Sequence, residues 1–399
     1  MSTSVENVPP RAEPADFSLM LGGPLYQFYL RTRMARDPLD LAARRTVIIP
    51  ALAWVPLLVL SLLEGHVWSG VAIPFLHDLE VHARYLIALP LLIAGELIVH
   101  QRTSDIVARF VTRGIVPPSV VPRFNVAVAS ALRLRNSMAF ELLLIASVLV
   151  IGHYVWQRQV TLHAPTWWAP ATTPETGLSW AGWWYVYIAI PVYQFIMLRW
   201  YFRLVVWFRF LGHVSRLDLK LIATHPDRAA GLGFLGHTAH AFGPLLFAQG
   251  VLLSALIANR ILRDGGTLLD YQYEVVAIVV VLMLFVLAPL LQFTPRLLAA
   301  KRAGMHEYGD LASEYVNAFE NKWIRRGAPP GETLVGSADI QSLADLANSF
   351  EVVRTMRPTV FPLETLIRIA IVTVLPVSPL ILTVIPLNEI IRKLLAVLL

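Results

Sequence analysis

The sequence predicts an all-α, polytopic transmembrane bundle of six spans, with a Pro-broken seventh and a small helical cytoplasmic layer. Three observations carry this. Of 399 residues, 56% are apolar and 15% charged, with a mean hydropathy of +0.60, more apolar surface than a soluble chain of this length buries. The apolar residues gather into runs that approach or reach the roughly 20 needed to cross about 30 Å of hydrocarbon. Arginines close those runs on alternating sides, as the positive-inside rule requires.

Residues 1–45 come first. They are Pro-rich and mixed in charge, with no apolar core of a signal peptide, and read as a flexible cytoplasmic tail. Its end alternates Arg31, Arg33, Arg36, Arg44 and Arg45 with Tyr26, Phe28, Tyr29 and Leu30, the pattern of an interfacial amphipathic segment. Residues 46–291 hold the six runs: Thr46 to Leu63, Tyr85 to Val99, Met138 to Val155, Trp183 to Leu198, Phe242 to Ala258 and Val275 to Leu291. With the N-terminus inside, the inner segments collect 27 of the 33 Lys and Arg, which sets an N-in orientation. The longest outer loop carries Trp167, Trp168 and Trp180, an aromatic belt.

Beyond Leu198, aromatics and arginines interleave without a breaker to Gly212, and after Pro295 the positions Met305, Tyr308, Ala312, Tyr315, Phe319 and Trp323 keep three-and-four spacing. Both spans therefore extend as helices into the cytoplasm. After the turn-rich RGAPPGETLVG, Ile340, Leu343, Leu346, Phe350 and Val353 mark another amphipathic helix. Residues 292–365 thus form a cytoplasmic helical region with the second inner loop. In residues 366–399, Pro376, Pro379 and Pro386 interrupt the seventh run. That segment either crosses with a kink, which the length of Leu366 to Leu387 favours, or re-enters, for which Arg392 and Lys393 argue.

Two stretches, THPDRAAGLGFLG at Thr224 to Gly236 and SADIQSLADLANSFEVVRTMRP at Ser337 to Pro358, resemble segments of a family of bacterial polytopic membrane proteins without an assigned function. The resemblance covers mainly the C-terminal half. It implies a multi-pass protein of the bacterial inner membrane and transfers no residue role.

Ionisable residues inside spans are the first functional candidates, because burying them in hydrocarbon is costly. Glu96 and His100 share a helix face near the inner end of the second run, and Glu141 enters the third at the same depth. With Arg199 nearby, they are the residue types of a proton relay or cation site, or of a salt-bridge network between spans. Gln194 and Gln249, nearest mid-membrane, are pathway candidates or interhelical hydrogen-bonding groups. His225, Asp227, His237 and His240 offer nitrogen and oxygen ligands for a divalent metal, against a reading in which Asp227 caps a turn. Gly231, Gly233 and Gly236 spell G-x-G-x-x-G but lack the flanking strand of a dinucleotide site.

The absence of cysteine excludes disulfides and thiolate metal centres. No nucleophile-elbow, zincin or Walker sequence occurs, so enzyme signals are poor, and the sequence requires no cofactor. The basic residues lie at span ends and not on a continuous basic face, which argues against nucleic acid. The expected function is a channel or transporter for an ion or small solute, using Glu96, His100 and Glu141. The alternatives are a scaffold that docks a cytoplasmic protein partner, and a metal-dependent membrane enzyme. The bilayer is the expected environment, and a homo-oligomer is compatible with short-looped helices.

Overall fold

The computed structural model describes residues 17–20, 22, 38–159, 165–170, 177–327 and 330–384. They form an all-helical fold. Eleven helices are named here: α1 (Pro38–Leu63), α2 (Leu79–Thr112), α3 (Val121–Arg135), α4 (Met138–Gln159), α5 (Trp180–Val214), α6 (His237–Ala241), α7 (Gly243–Asp264), α8 (Gln272–Leu291), α9 (Thr294–Phe319), α10 (Ala338–Arg354) and α11 (Leu363–Thr383). The one β-bridge among the described residues joins Ile73 to Thr166.

Among the described residues six helices are long and apolar enough to cross a membrane: the Ala43–Leu63 part of α1, then α2, α5, α7, Leu268–Leu291 and α11. The described apolar part of α4, Met138–Val150, is shorter. The set differs from the sequence expectation in that the Pro-interrupted segment is among the six. It stays α-helical to Val374 and then tightens into a 3-10 helix through Pro376 and Pro379, which absorbs the missing donors without ending the segment. At its far end the Thr383 hydroxyl accepts from the Leu268 N–H at 3.2 Å. The described part of the segment therefore reaches the same end of the bundle as Leu268; Arg392 and Lys393 lie outside the described residues.

Close approach of helices depends on small residues. A Cβ on Gly250 of α7 would lie 2.1 Å from the Thr373 carbonyl oxygen of α11. A Cβ on Gly95 of α2 would meet the Pro244 side chain at 2.7 Å. The aromatic face of α5 is packing: Trp200 and Trp207 are fully buried, and the Trp200 indole donates to the Leu92 carbonyl at 3.2 Å.

Lengths set the depth of everything else. At 1.5 Å per residue the 22 residues of α7 span about 33 Å, a bilayer core, whereas the 34 residues of α2 span about 50 Å. The last turns of α2 therefore project beyond the span boundary. There they meet α3, where Phe110 and Phe124 pack at 5.7 Å and Phe124 and Phe210 at 6.1 Å. The expected helical layer stands at this end. α9 and α10 pair along one face, and a Cβ on Gly304 would sit 2.5 Å from Ala223 and 3.1 Å from Val353. Asp339 ties the far end, accepting from Lys322 and the Trp323 indole at 2.9 Å each.

The tail departs from expectation. Tyr26 to Arg36 lie outside the described residues, but Phe17, Leu19 and Met20 are buried. Phe17 stacks on Phe210 at 5.0 Å and meets Trp207 at 6.1 Å. Part of the tail is thus a docked element of the bundle.

Candidate functional site

Glu96 lies 17 residues into α2, about 26 Å from its start and one turn inside the boundary. It is 7% exposed. Arg203 Nη1 donates to its Oε1 at 2.9 Å, Arg45 Nη2 to its Oε2 at 3.1 Å, and Arg199 Nη1 stands 3.8 Å away. One carboxylate thus serves guanidiniums from α1 and α5. Backbone oxygens of the docked tail do the rest. Arg203 Nη2 donates to the Met20 carbonyl at 2.7 Å, Arg199 to the Gly22 carbonyl at 3.5 Å, and Arg135 to the Ser18 carbonyl. Burial, and then the neighbouring Arg199, push the Arg135 guanidinium below its ordinary range. The cluster carries more positive than negative charge.

The other residues singled out in the sequence fall around it. Glu141 and Arg199 line one small cavity of ≈ 20 Å³ with Arg135, Ser137 and Arg203, so the helices do bring Glu96, Arg199 and Glu141 to one level. His100 lies one turn beyond Glu96, and its buried Nδ1 has no partner among the described residues. Gln249 donates to the Tyr201 hydroxyl at 3.1 Å, an interhelical bond between α7 and α5. The buried Oε1 of Gln194 has no described partner.

The histidine and aspartate set is not gathered into one metal-ligand group. Among the described residues no group of three or more His, Asp or Glu could hold a metal ion. His225 Nδ1 pairs with Asp227 at 2.9 Å, whereas His237 and His240 face each other with ring centres 6.3 Å apart. The Asp227 oxygens are already committed, accepting from the N–H groups of Ala229 at 2.8 Å, Gly231 at 3.1 Å and Gly233 at 2.8 Å. Burial opposes its ionisation, but the Ala229, Gly233 and Gly231 N–H groups together with His225 hold the carboxyl below its ordinary range. The glycines of G-x-G-x-x-G therefore build a turn around a carboxylate. Gly231 has φ +93°, while Arg228 and Ala230 sit at φ 54° and 53°, a conformation costly for residues with a Cβ and maintained only where the surroundings over-determine it.

Arg357 supplies that determination. Its N–H donates to the Arg228 carbonyl and its Nη2 to the Asp227 carbonyl, both at 2.8 Å. The two stretches noted for their resemblance meet at this contact. They form one wall of a cavity of ≈ 390 Å³ whose other walls are the end of α2, α6 and the start of α11. Arg109, Arg113, Arg357, Arg368, His237 and His240 line it, with Asp227 and Glu364 as the acids. The Arg109 and Arg113 side chains have no hydrogen bond or ion pair with a described residue; Arg113 lies over the Phe234 ring at 5.4 Å. Arg357 Nε and His240 Nδ1 are buried without a described partner. Burial, then His237, Arg102 and Arg368 lower the pKa of His240.

Arg109 is 13 residues past Glu96 on α2, about 20 Å farther along the axis. This cavity therefore lies beyond the apolar span, in the helical layer. Sequence reading missed it. Its four arginines come from three distant segments, and only α2, α6 and the 224–236 turn, packed against Arg357 and α11, bring them together.

At the opposite end, the reading also missed Arg84. Its Nη1 donates to the Tyr185 hydroxyl at 2.7 Å, it pairs with Glu80, and it lies over Tyr193 at 5.6 Å. No protein-family model matches the chain, and neither a curated protein nor a solved structure is significantly similar to it.

Proposed function

We propose that this multi-pass membrane protein captures a small multivalent anion at its basic end, as the entry site of an anion channel or transporter. The observation that carries the proposal is the ≈ 390 Å³ cavity, in which four arginines and two histidines face two carboxylates, one of them already bound by three backbone N–H groups. Two guanidiniums without a hydrogen-bond or ion-pair partner among the described residues, Arg109 and Arg113, converge with Arg357, which gives Nη2 to the Asp227 carbonyl, and Arg368, 3.6 Å from Glu364; in a concave site of ligand size this favours bidentate anion recognition. By the positive-inside rule this end faces the cytoplasm of a bacterial inner membrane.

The charge at Glu96 modifies the expected chemistry. A carboxylate held by three guanidiniums repels a cation, whereas His100 and the Arg45, Arg199 and Arg203 cluster continue the basic series of α2 toward the membrane. In this reading the transported species is negative, and Glu96 fixes the helices that border its entry.

The test is binding of pyrophosphate and citrate to the purified full-length protein, followed by flux in proteoliposomes. Arg109→Ala with Arg113→Ala should weaken anion binding about a hundredfold, from two lost charge-assisted contacts of about 1.4 kcal/mol each. Unchanged affinity removes the site; binding without flux leaves a non-transporting anion receptor. The scaffold reading keeps one supporting observation. The α9–α10 pair leaves Leu311, Val316 and Ile340 at 42–48% exposure, an apolar surface open to a partner.

A further inference from the structure

Three helices repeat one pattern beside the Glu96 cluster. On α1, Arg45 is followed one turn deeper by Ile49; on α4, Glu141 by Ile145; on α5, Arg199 by Ile196 and Phe195. The polar members are buried or half-buried at the depth of the span boundary. The apolar ones line an open trough of ≈ 360 Å³ between α1, α4 and α5. α4 and α5 run on from this trough to the ≈ 20 Å³ cavity lined by Arg135, Ser137 and Glu141, so one pair of helices carries a polar end and an apolar floor in sequence. From Glu141 to Leu149 the floor extends about 12 Å into the hydrocarbon.

Charge indicates what fills it. Arg45, Arg135, Arg199 and Arg203 at the polar end face Glu96 and Glu141. Glu96 already contacts three of the guanidiniums, and Arg135, Arg203 and Arg199 also donate to the Ser18, Met20 and Gly22 carbonyls. A positive surplus at headgroup depth over an apolar trough complements an amphiphile with a negative head.

We propose that the trough is a binding site for an anionic phospholipid of the leaflet at the basic end, with an acyl chain along α4 and α5 and the phosphate at the Arg135 mouth. The ≈ 20 Å³ cavity is about the size for one bridging water, so the phosphate lies at its rim and not inside it. The site is separate from the anion cavity, which shares none of its lining residues.

Native mass spectrometry of the delipidated full-length protein tests this with phosphatidylglycerol and phosphatidylcholine of identical chains. The wild type should retain phosphatidylglycerol at about tenfold lower concentration, the ratio expected from one charge-assisted contact. Arg135→Gln should abolish that preference while leaving phosphatidylcholine binding unchanged. Leu149→Trp, at a membrane-facing wall position that does not disturb the core, should weaken both lipids. Glycerol 3-phosphate should not compete, which separates a lipid from a free phosphate ester. Equal retention of the two lipids by the wild type overturns the proposal, as does a preference that survives Arg135→Gln or full competition by glycerol 3-phosphate.

Discussion

Glu96→Gln removes the one negative charge from a cluster of three guanidiniums without changing side-chain size. Breaking a buried ion pair by neutralising one partner costs about 3–5 kcal/mol, because the other charge stays buried without compensation. Here Arg203 at 2.9 Å and Arg45 at 3.1 Å lose a charged acceptor together, and Arg199 at 3.8 Å loses its nearest negative group. The amide oxygen still accepts one bond, and the Met20 and Gly22 carbonyls still accept from Arg203 and Arg199. The low end is therefore appropriate, about 3 kcal/mol. At about 2 °C per kcal/mol for a chain of this size, the Tm in detergent should fall about 6 °C. The assay is a thermal melt of the wild type, Glu96→Gln, Arg203→Leu and the double variant. Removing both partners leaves less uncompensated charge than either removal alone, so the double variant should lose at least about 1 kcal/mol less than the sum of the singles. Strict additivity, or a Glu96→Gln melt within about 1 °C of the wild type, refutes the view that this carboxylate holds α1, α2 and α5 together.

Two further perturbations follow from the same packing and charge. Gly250→Val places carbon atoms where the Thr373 carbonyl oxygen stands 2.1 Å from the Cβ position, so α7 and α11 must separate; a loss of about 1–3 kcal/mol is expected in a thermal melt, whereas Gly243→Val, with nothing within 4 Å of its Cβ position, should lose less. His240, its pKa lowered by burial and by His237, Arg102 and Arg368, resists protonation in the fold. Without an anion, stability should therefore fall as pH drops below about 6.5, where the unfolded chain takes up the proton first, and it should level once the folded form also protonates. Pyrophosphate in the cavity favours the imidazolium, so its affinity should rise over the same interval and the acid loss of Tm should shrink. A melt series from pH 8 to pH 5 with His240→Gln as control checks this, and identical pH profiles for the two proteins exclude His240 as the group.

Hydropathy and arginine placement made the helices legible because both follow from the bilayer, which acts on each segment separately. The same applies to the depth match of Glu96, Glu141 and Arg199, since each depth is a residue count along its own helix. What the sequence could not disclose was who meets whom. Arg45 was assigned to an interfacial segment, yet it reaches 51 residues along the chain to Glu96. Asp227 and the histidines have the type and spacing of metal ligands, but the Asp227 oxygens are taken by backbone N–H groups that only the turn presents. Pro376 and Pro379 predict a broken helix, and the chain instead tightens into a 3-10 form that continues to Thr383. The tail carried no periodic signal for its docking because Ser18, Met20 and Gly22 meet the arginines through backbone carbonyls, which any residue offers equally.

The three features at the basic end share one physical cause. An arginine stays ionised at any accessible pH, so the guanidiniums gathered there cannot discharge on burial as a lysine or histidine could. Their charge must be met by acids, dipoles or bound anions. At the Glu96 level the chain supplies one carboxylate to three guanidiniums, and carbonyls of its own tail to Arg135, Arg199 and Arg203, which meets part of that charge. In the helical layer, Arg109 and Arg113 have no described polar partner at all, and Arg357 spends its Nη2 on holding the Asp227 turn. Of the two basic clusters, the one that leaves Arg109 and Arg113 unanswered is the one proposed to take a soluble anion, and the one with a partial answer borders the apolar trough. The same residue type thus serves a structural lock, and on the readings proposed here a lipid contact and an anion site, according to how much compensating charge the fold brings within reach.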